Sequence, residues 1–272
     1  MAKVLITEKL AETGLELLRA RGHDVQVHLD LSPIELRSSI AEVDALIIRS
    51  ATKVDAELLD AAKRLQVVGR AGVGLDNVDT AAATSRGILV CNAPESNVVS
   101  AAEHSVGLLL ALARNVAQAH GALVEGRWER SLWTGVELLH KTIGIVGLGR
   151  VGRLVAQRLS GFDVQILAFD PFVSSESARE VNVEMVGLDE LLARSDFVTV
   201  HLPKTEDTVG LFDASRFTKF KQGAFLVNAA RGGVVVEDDL ADALDKGHLA
   251  GAALDVFDTE PKLTSPLFGR AD

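Results

Sequence analysis

The sequence predicts an α/β protein made of two parallel sheets, each wound with helices on both faces. Three observations carry that expectation. Short apolar runs of strand length alternate along the whole chain with segments whose apolar residues recur at helical spacing. A glycine-rich turn, Gly147-Leu148-Gly149-Arg150-Val151-Gly152, stands directly between one such run and one such segment. The composition, 47% hydrophobic and 24% charged with only 4% aromatic residues, suits helix-and-parallel-sheet packing better than a disordered or disulfide-stapled chain.

Val4-Leu5-Ile6 predicts the first buried strand. Ala11, Gly14, Leu15 and Leu18 then recur with helical spacing, and Val25, Val27 and Leu29 alternate as a second strand. Ser32-Pro33-Ile34-Glu35 combines an N-cap, a first-turn proline and a capping-box glutamate, so a helix starts there. A strand over 45–48 follows, then a helix from about Asp55, a Val67-Val68 strand, a glycine-rich turn, a short helix over 80–86 and a strand over 88–91. Ser100-Ala101-Ala102-Glu103 reads as a second capping box, launching a long apolar helix through Val106, Leu109, Leu110 and Ala113 that links two domains. A polar interlude with Trp128, Arg130 and Trp133 leads into the second alternation, whose strands fall at 143–146, 164–169, 183–185, 197–201, 224–228 and 251–255. The domains so predicted cover 1–95 and 96–272, and 272 residues suffice for two medium cores.

The formal charge of −10 argues against nucleic acid or an anionic membrane as partner, since either needs a basic surface. Any anionic ligand must be held by local positive groups. Cys91, the single cysteine, excludes an internal disulfide, and without metal-spaced Cys/His clusters no metal site is expected. The opening Met1-Ala2-Lys3-Val4-Leu5-Ile6 is too short an apolar run for a signal peptide, so a soluble cytoplasmic protein is expected.

The Gly147 turn follows a strand and enters a helix with Leu154, Val155, Arg158 and Leu159 at helical spacing. In that context the first glycine allows the tight turn, Gly149 lets the backbone approach a pyrophosphate, and Gly152 lets the helix pack closely on the strand, as in a Rossmann dinucleotide site. Asp170 ends the next strand, 23 residues after Gly147, where a carboxylate accepts from ribose hydroxyls and repels a 2′-phosphate. This points to NAD rather than NADP. A ligand-free βα turn, with Asp170 a strand-end turn residue before Pro171, has the same local pattern.

Several segments resemble the D-2-hydroxyacid dehydrogenase family, in order and across essentially the whole chain. They are Arg70-Ala71-Gly72-Val73-Gly74-Leu75-Asp76-Asn77, the Gly147 turn, His201-Leu202-Pro203, Asn228-Ala229-Ala230-Arg231-Gly232-Gly233, and Asp255-Val256-Phe257 through Glu260-Pro261. Arg49-Ser50-Ala51-Thr52, Asn92-Ala93-Pro94 and Trp128-Glu129-Arg130 carry the likeness to members acting on a phosphorylated substrate. The resemblance implies two Rossmann-like domains, a flavodoxin-like substrate domain and an NAD-binding Rossmann domain, in a homodimer or tetramer. It implies that Arg231 clamps the substrate carboxylate and polarises the carbonyl, a task suited to a planar guanidinium. Glu260 corresponds to the carboxylate that orients a catalytic histidine, and Asp255 to a nicotinamide-carboxamide contact. Arg150, Val151, Leu202, Ala229, Ala230 and Val73 are implied beside NAD. Arg49 and Ser50 approach the substrate phosphate, Val73, Gly74 and Asn97 line the carboxylate side, and Arg130 adds phosphate charge across a dimer interface. Taken singly, Arg231, Glu260, Asp255 and Arg130 also read as ordinary solvated or turn-capping residues.

In one respect the chain departs from the family's pattern. The family's catalytic histidine stands in a Pro-His-x-Gly segment beyond Glu-Pro, after one more strand. None of His23, His28, His104, His120, His140, His201 and His248 has that context. The expectation is a truncated chain with impaired activity, its second domain lacking a last strand and its first lacking a C-terminal return. Phosphorylated 2-hydroxyacid oxidation is the leading expectation. The alternatives are a family reductase acting on glyoxylate or hydroxypyruvate, and an NAD(H)-regulated corepressor-like binding protein.

Overall fold

The computed structural model describes residues 1–272 and divides into two compact units, Met1–Asn97 and Val98–Asp272. In the first, strands and helices alternate strictly: β1 (Lys3–Ile6), α1 (Glu12–Ala20), β2 (Asp24–Val27), α2 (Pro33–Ile40), β3 (Ala45–Ile48), α3 (Ala56–Ala61), β4 (Val67–Arg70), α4 (Thr80–Ser85) and β5 (Leu89–Asn92). The sheet is parallel throughout, in the order β2-β1-β3-β4-β5. One face buries Leu5, Leu46 and Val68 against α2, α3 and α4 through Leu36, Ile40, Leu58 and Ala83, while the other packs Val4 and Ile6 on Leu15 of α1.

The local signals act as expected at α2. The Ser32 hydroxyl accepts the Glu35 amide, and Glu35 returns the contact to the Ser32 N–H at 2.9 Å, satisfying two orphan donors of the first turn. Tertiary pairing moves other boundaries. β2 stops at Val27 because β1, its partner, stops at Ile6, so Leu29 is left exposed before the chain turns through Asp30 at φ 56°. β4 runs on to Arg70, which pairs with Ile48. Ile88 donates its N–H to the Ala83 carbonyl and closes α4, so β5 begins one residue later than predicted.

The second unit comprises α5 (Val98–Ala113), α6 (Val116–Val124), β6 (Thr142–Val146), α7 (Arg150–Leu159), β7 (Gln165–Phe169), α8 (Ser175–Arg179), β8 (Glu184–Met185), α9 (Leu188–Arg194), β9 (Phe197–Val200), α10 (Ala214–Phe217), β10 (Ala224–Asn228), α11 (Glu237–Asp245) and β11 (Leu249–Leu254). Its six parallel strands lie in the order β11-β10-β9-β6-β7-β8. The first strand of the unit is thus central, and successive strands step outward on either side, which is the doubly wound pattern. β6 and β9 are almost wholly buried, as strands covered on both faces must be.

The predicted capping box at Ser100 is not formed. α5 starts two residues upstream at Val98, so Ser100 and Glu103 are already helical, and Glu103 instead receives a hydrogen bond from Arg158 of α7 at 3.1 Å. α5 packs into the second unit: Ala102, Leu109 and Leu112 belong to the core formed with Ile143, Val155 and Leu159. No helix is long and apolar enough to cross a membrane.

Candidate functional site

The carboxyl ends of β6, β7, β9, β10 and β11 gather the second unit's candidate residues other than Arg130 at one sheet edge, the edge where open α/β sheets bind ligands. β6 leads straight into Gly147, whose φ of 99° lies in the region favouring glycine. A Cβ at Gly147 would stand 2.8 Å from the His201 carbonyl oxygen, so the turn needs glycine for space as well. A Cβ at Gly152 would overlap the Gly147 carbonyl oxygen, since α7 lies directly on the turn. Gly149 differs from both: nothing lies within 4 Å of its Cβ position. It is the N-cap of α7, and no side chain caps the helix. The open space ahead of an uncapped ten-residue helix is where a diphosphate is held by backbone N–H groups and the helix dipole.

Asp170 follows β7. Its Oδ2 accepts the Leu148 N–H at 2.9 Å and its Oδ1 accepts the Phe172 N–H at 2.9 Å. The carboxylate is thereby locked to the glycine turn and keeps lone pairs for a diol. After β9, His201 bonds through its backbone N–H to Val146, and its Nε2 lies 3.0 Å from Thr199 Oγ1. Burial pushes the His201 imidazole down from 6.5 to about 4, so it is neutral at neutral pH and adds no charge beside the turn. Leu202 is buried in the core.

After β10 the buried side chain of Asn228 brackets the next turn. It accepts the Ala230 N–H through Oδ1 at 3.1 Å and donates through Nδ2 to the Arg231 carbonyl at 3.0 Å. Arg231 Nη1 donates to the Ala230 carbonyl at 2.7 Å. A Cβ at Gly232 would overlap the Phe257 carbonyl, so this turn and the loop after β11 touch through backbone. That loop carries Asp255 and Glu260. Asp255 donates its N–H to the Asn228 carbonyl at 3.0 Å, and its carboxylate meets His104 Nε2 at 3.3 Å, both side chains half exposed. The exposed Glu260 takes the Phe257 N–H on Oε1 at 2.9 Å. Glu237 underpins the loop, accepting the Asp258 N–H at 3.1 Å and the Ser265 hydroxyl at 2.6 Å and pairing with Lys262 at 3.3 Å.

Residues 106–271 match the model of the D-isomer specific 2-hydroxyacid dehydrogenase family, NAD binding domain. The chain belongs to that family. As a 2-hydroxyacid dehydrogenase domain of the NAD-binding kind, its uncapped α7, open Gly149 and the Asp170 carboxylate bonded to the glycine turn form a set that fits the dinucleotide. It is 52% identical over 267 residues to D-3-phosphoglycerate dehydrogenase of Mycobacterium tuberculosis, covering 97% of this chain and 50% of that protein. It therefore spans about half the length of the curated relatives it matches. A Thermus thermophilus crystal structure superposes with a TM-score of 0.91 at 36% identity, covering 99% of this chain and 86% of that one. The NAD complex of a Staphylococcus aureus NAD-dependent formate dehydrogenase gives 0.87 at 36% identity, covering 98% and 85%.

The candidates in the first unit lie at the carboxyl edge of its own sheet: Arg49 and Ser50 after β3, Val73 and Gly74 after β4, Asn97 after β5. Arg49, Ser50 and Asn97 are exposed, and Val73 accepts a hydrogen bond from Asn92 at 2.6 Å. Arg130 belongs to the second unit, in a surface pocket with Trp128 and Trp133 rather than on the strand edge. Sequence reasoning passed over Asn228 as a bracket, His104 as the Asp255 partner and Glu237 as a loop support. Asn228 could have been found, because an Asn two residues before a turn amide is an Asx-turn signal. The other two pair across 151 and 21 residues, respectively, with no local trace.

Proposed function

We propose that the chain is the catalytic part of a D-3-phosphoglycerate dehydrogenase, oxidising 3-phosphoglycerate to 3-phosphohydroxypyruvate with NAD and so supplying serine biosynthesis. The observation that carries this reading is the 52% identity to the mycobacterial enzyme over 267 residues, which takes in both units and with them the substrate-side loops as well as the cofactor turn.

On this reading NAD, when bound, would supply the hydride acceptor for C2 of the substrate. Gly147, Gly149, Arg150, Val151 and Gly152 seat its diphosphate at the start of α7, and Asp170 selects a free ribose diol. Leu202, Ala229, Ala230 and Val73 flank it, and Asp255 holds the carboxamide. Arg231 grips the substrate carboxylate and stabilises the negative charge that the C2 oxygen bears as its proton leaves. Glu260 is the carboxylate that orients the family's catalytic histidine, which accepts that proton. Arg49 and Ser50 take the phosphate, Gly74 and Asn97 line the carboxylate side, and Arg130 of a second subunit adds charge.

The test is a paired measurement on the 272-residue polypeptide and on one lengthened through a Pro-His-x-Gly segment. Both should bind NADH, and the longer one should oxidise 3-phosphoglycerate at least about 10²-fold faster, the usual minimum for general acid–base catalysis. A lengthened chain that preferred D-glycerate or glycolate to 3-phosphoglycerate would overturn the substrate assignment.

A further inference from the structure

We infer that Glu8, together with Asn77, is a positioning residue that holds the 49–52 loop as a preformed phosphate cradle; the inference rests on the reading of Arg49 and Ser50 as the phosphate-binding pair. The loop leaves β3 at the carboxyl edge of the first sheet, where the strand ladder no longer supplies backbone partners. Two side chains supply them instead. The Glu8 carboxylate, two residues beyond the end of β1 at Ile6, accepts the Arg49 N–H at 2.8 Å and the Thr52 N–H at 3.0 Å on Oε1, and the Ala51 N–H at 3.1 Å on Oε2. From the opposite side of the loop's hydrogen-bonding inventory, Asn77 Nδ2 donates to the Arg49 carbonyl at 2.9 Å and the Thr52 carbonyl at 2.6 Å. Thr7 and Thr52 join their hydroxyls at 2.7 Å, closing the loop onto β1.

This arrangement engages every loop amide except that of Ser50. Neither the Ser50 N–H and hydroxyl nor the Arg49 guanidinium has a partner in the chain, and both residues are exposed. The Arg49 guanidinium has no carboxylate partner and stands beside the unused amide and hydroxyl of Ser50. Together they offer the charged fork and two neutral donors that a phosphate takes. Fixing the backbone in advance removes the ordering cost that binding would otherwise carry. The ionised Glu8 carboxylate is bonded to the backbone amides of Arg49, Ala51 and Thr52 and not to the Arg49 guanidinium, which stays open to a ligand. Burial alone would raise its carboxyl, but the amides of Thr52, Ala51 and Arg49 outweigh that and hold it below the usual range.

The clamp is specific to the phosphate end, so its loss should separate substrates. In the complete enzyme, Glu8→Gln places an amide N–H against a loop N–H, and Asn77→Asp places a carboxylate oxygen against two carbonyls. For each, KM for 3-phosphoglycerate should rise roughly tenfold, the loss of one charge-assisted hydrogen bond, with kcat little changed. D-Glycerate kinetics and NADH affinity should stay at wild-type values, which a general loss of folding would not allow. Arg49→Ala measured alongside separates the two levels of the argument. If Arg49→Ala raises the 3-phosphoglycerate KM while neither clamp variant does, the positioning role is wrong and the phosphate reading stands. If Arg49→Ala itself has no effect, the phosphate reading fails and takes the inference with it. Equal losses toward both substrates would also overturn the inference.

Discussion

Acidification from about pH 7 to about pH 4.5 should destabilise the second unit through one imidazole, that of His201. Burial holds its folded pKa at about 4, against 6.5 for an exposed histidine. Above 6.5 the ring is neutral in both folded and unfolded chains, and its contribution is fully present. As the pH falls below 6.5 the unfolded chain takes up a proton that the folded chain refuses, so stability is lost progressively until the folded ring protonates near 4. At about 1.4 kcal/mol for each pH unit the full loss is about 3 kcal/mol, a large fraction of a typical domain's stability. The lowered carboxylates of this unit, Glu184, Asp196, Asp258 and Asp272, lose their contributions as the pH falls through their ordinary values of 4.5 and 3.8, so most of the interval above that belongs to His201. Both tryptophans, Trp128 and Trp133, lie in this unit, and their fluorescence reports its urea unfolding separately from the first unit. His201→Gln keeps a hydrogen-bonding group for Thr199 without a titrating ring, and its stability should be nearly flat over the same interval. If wild type and variant lose stability in parallel between about pH 6.5 and about pH 4.5, the argument from burial is refuted.

Gly152→Ala should destabilise the second unit by about 1–3 kcal/mol and abolish measurable NADH binding, because its Cβ meets the Gly147 carbonyl and must push α7 off the turn; thermal melts and NADH fluorescence titration check both, and wild-type affinity would contradict the packing. Asp170→Ala should weaken NADH binding about tenfold while leaving NADPH binding unchanged or improved, since the carboxylate tied to Leu148 and Phe172 is what favours a free diol; paired titrations decide it, and a wild type preferring NADPH would refute the assignment. Arg231→Lys in an active, complete enzyme should cut kcat about 10²-fold with NADH affinity intact, because a point charge replaces a bidentate fork; unchanged kcat/KM would remove Arg231 from the chemistry.

The order of strands and helices, the Gly147 turn and the α2 capping box were legible in the sequence because each depends on neighbours within a few residues. A helix period, a strand run or a glycine needed for a backbone angle leaves its mark locally, whatever the chain does elsewhere. Even Asp170 could be placed from its distance to Gly147, since one βαβ unit has a limited length. The errors arose where a distant partner overruled a local signal. Ser100 and Glu103 have the residues of a capping box, but α5 begins at Val98 and Glu103 turns to Arg158. Leu29 alternates correctly with Val27, yet β1 has no residue left to pair with it. Only the tertiary structure decided which polar side chains organise the candidate site. Glu8 reaches amides 41 to 44 residues away, Asn77 reaches carbonyls 25 and 28 residues back, and His104 meets Asp255. His201 likewise reads as an ordinary turn residue until the fold surrounds it, because burial and hydrogen-bond satisfaction belong to the packed chain and have no period along it.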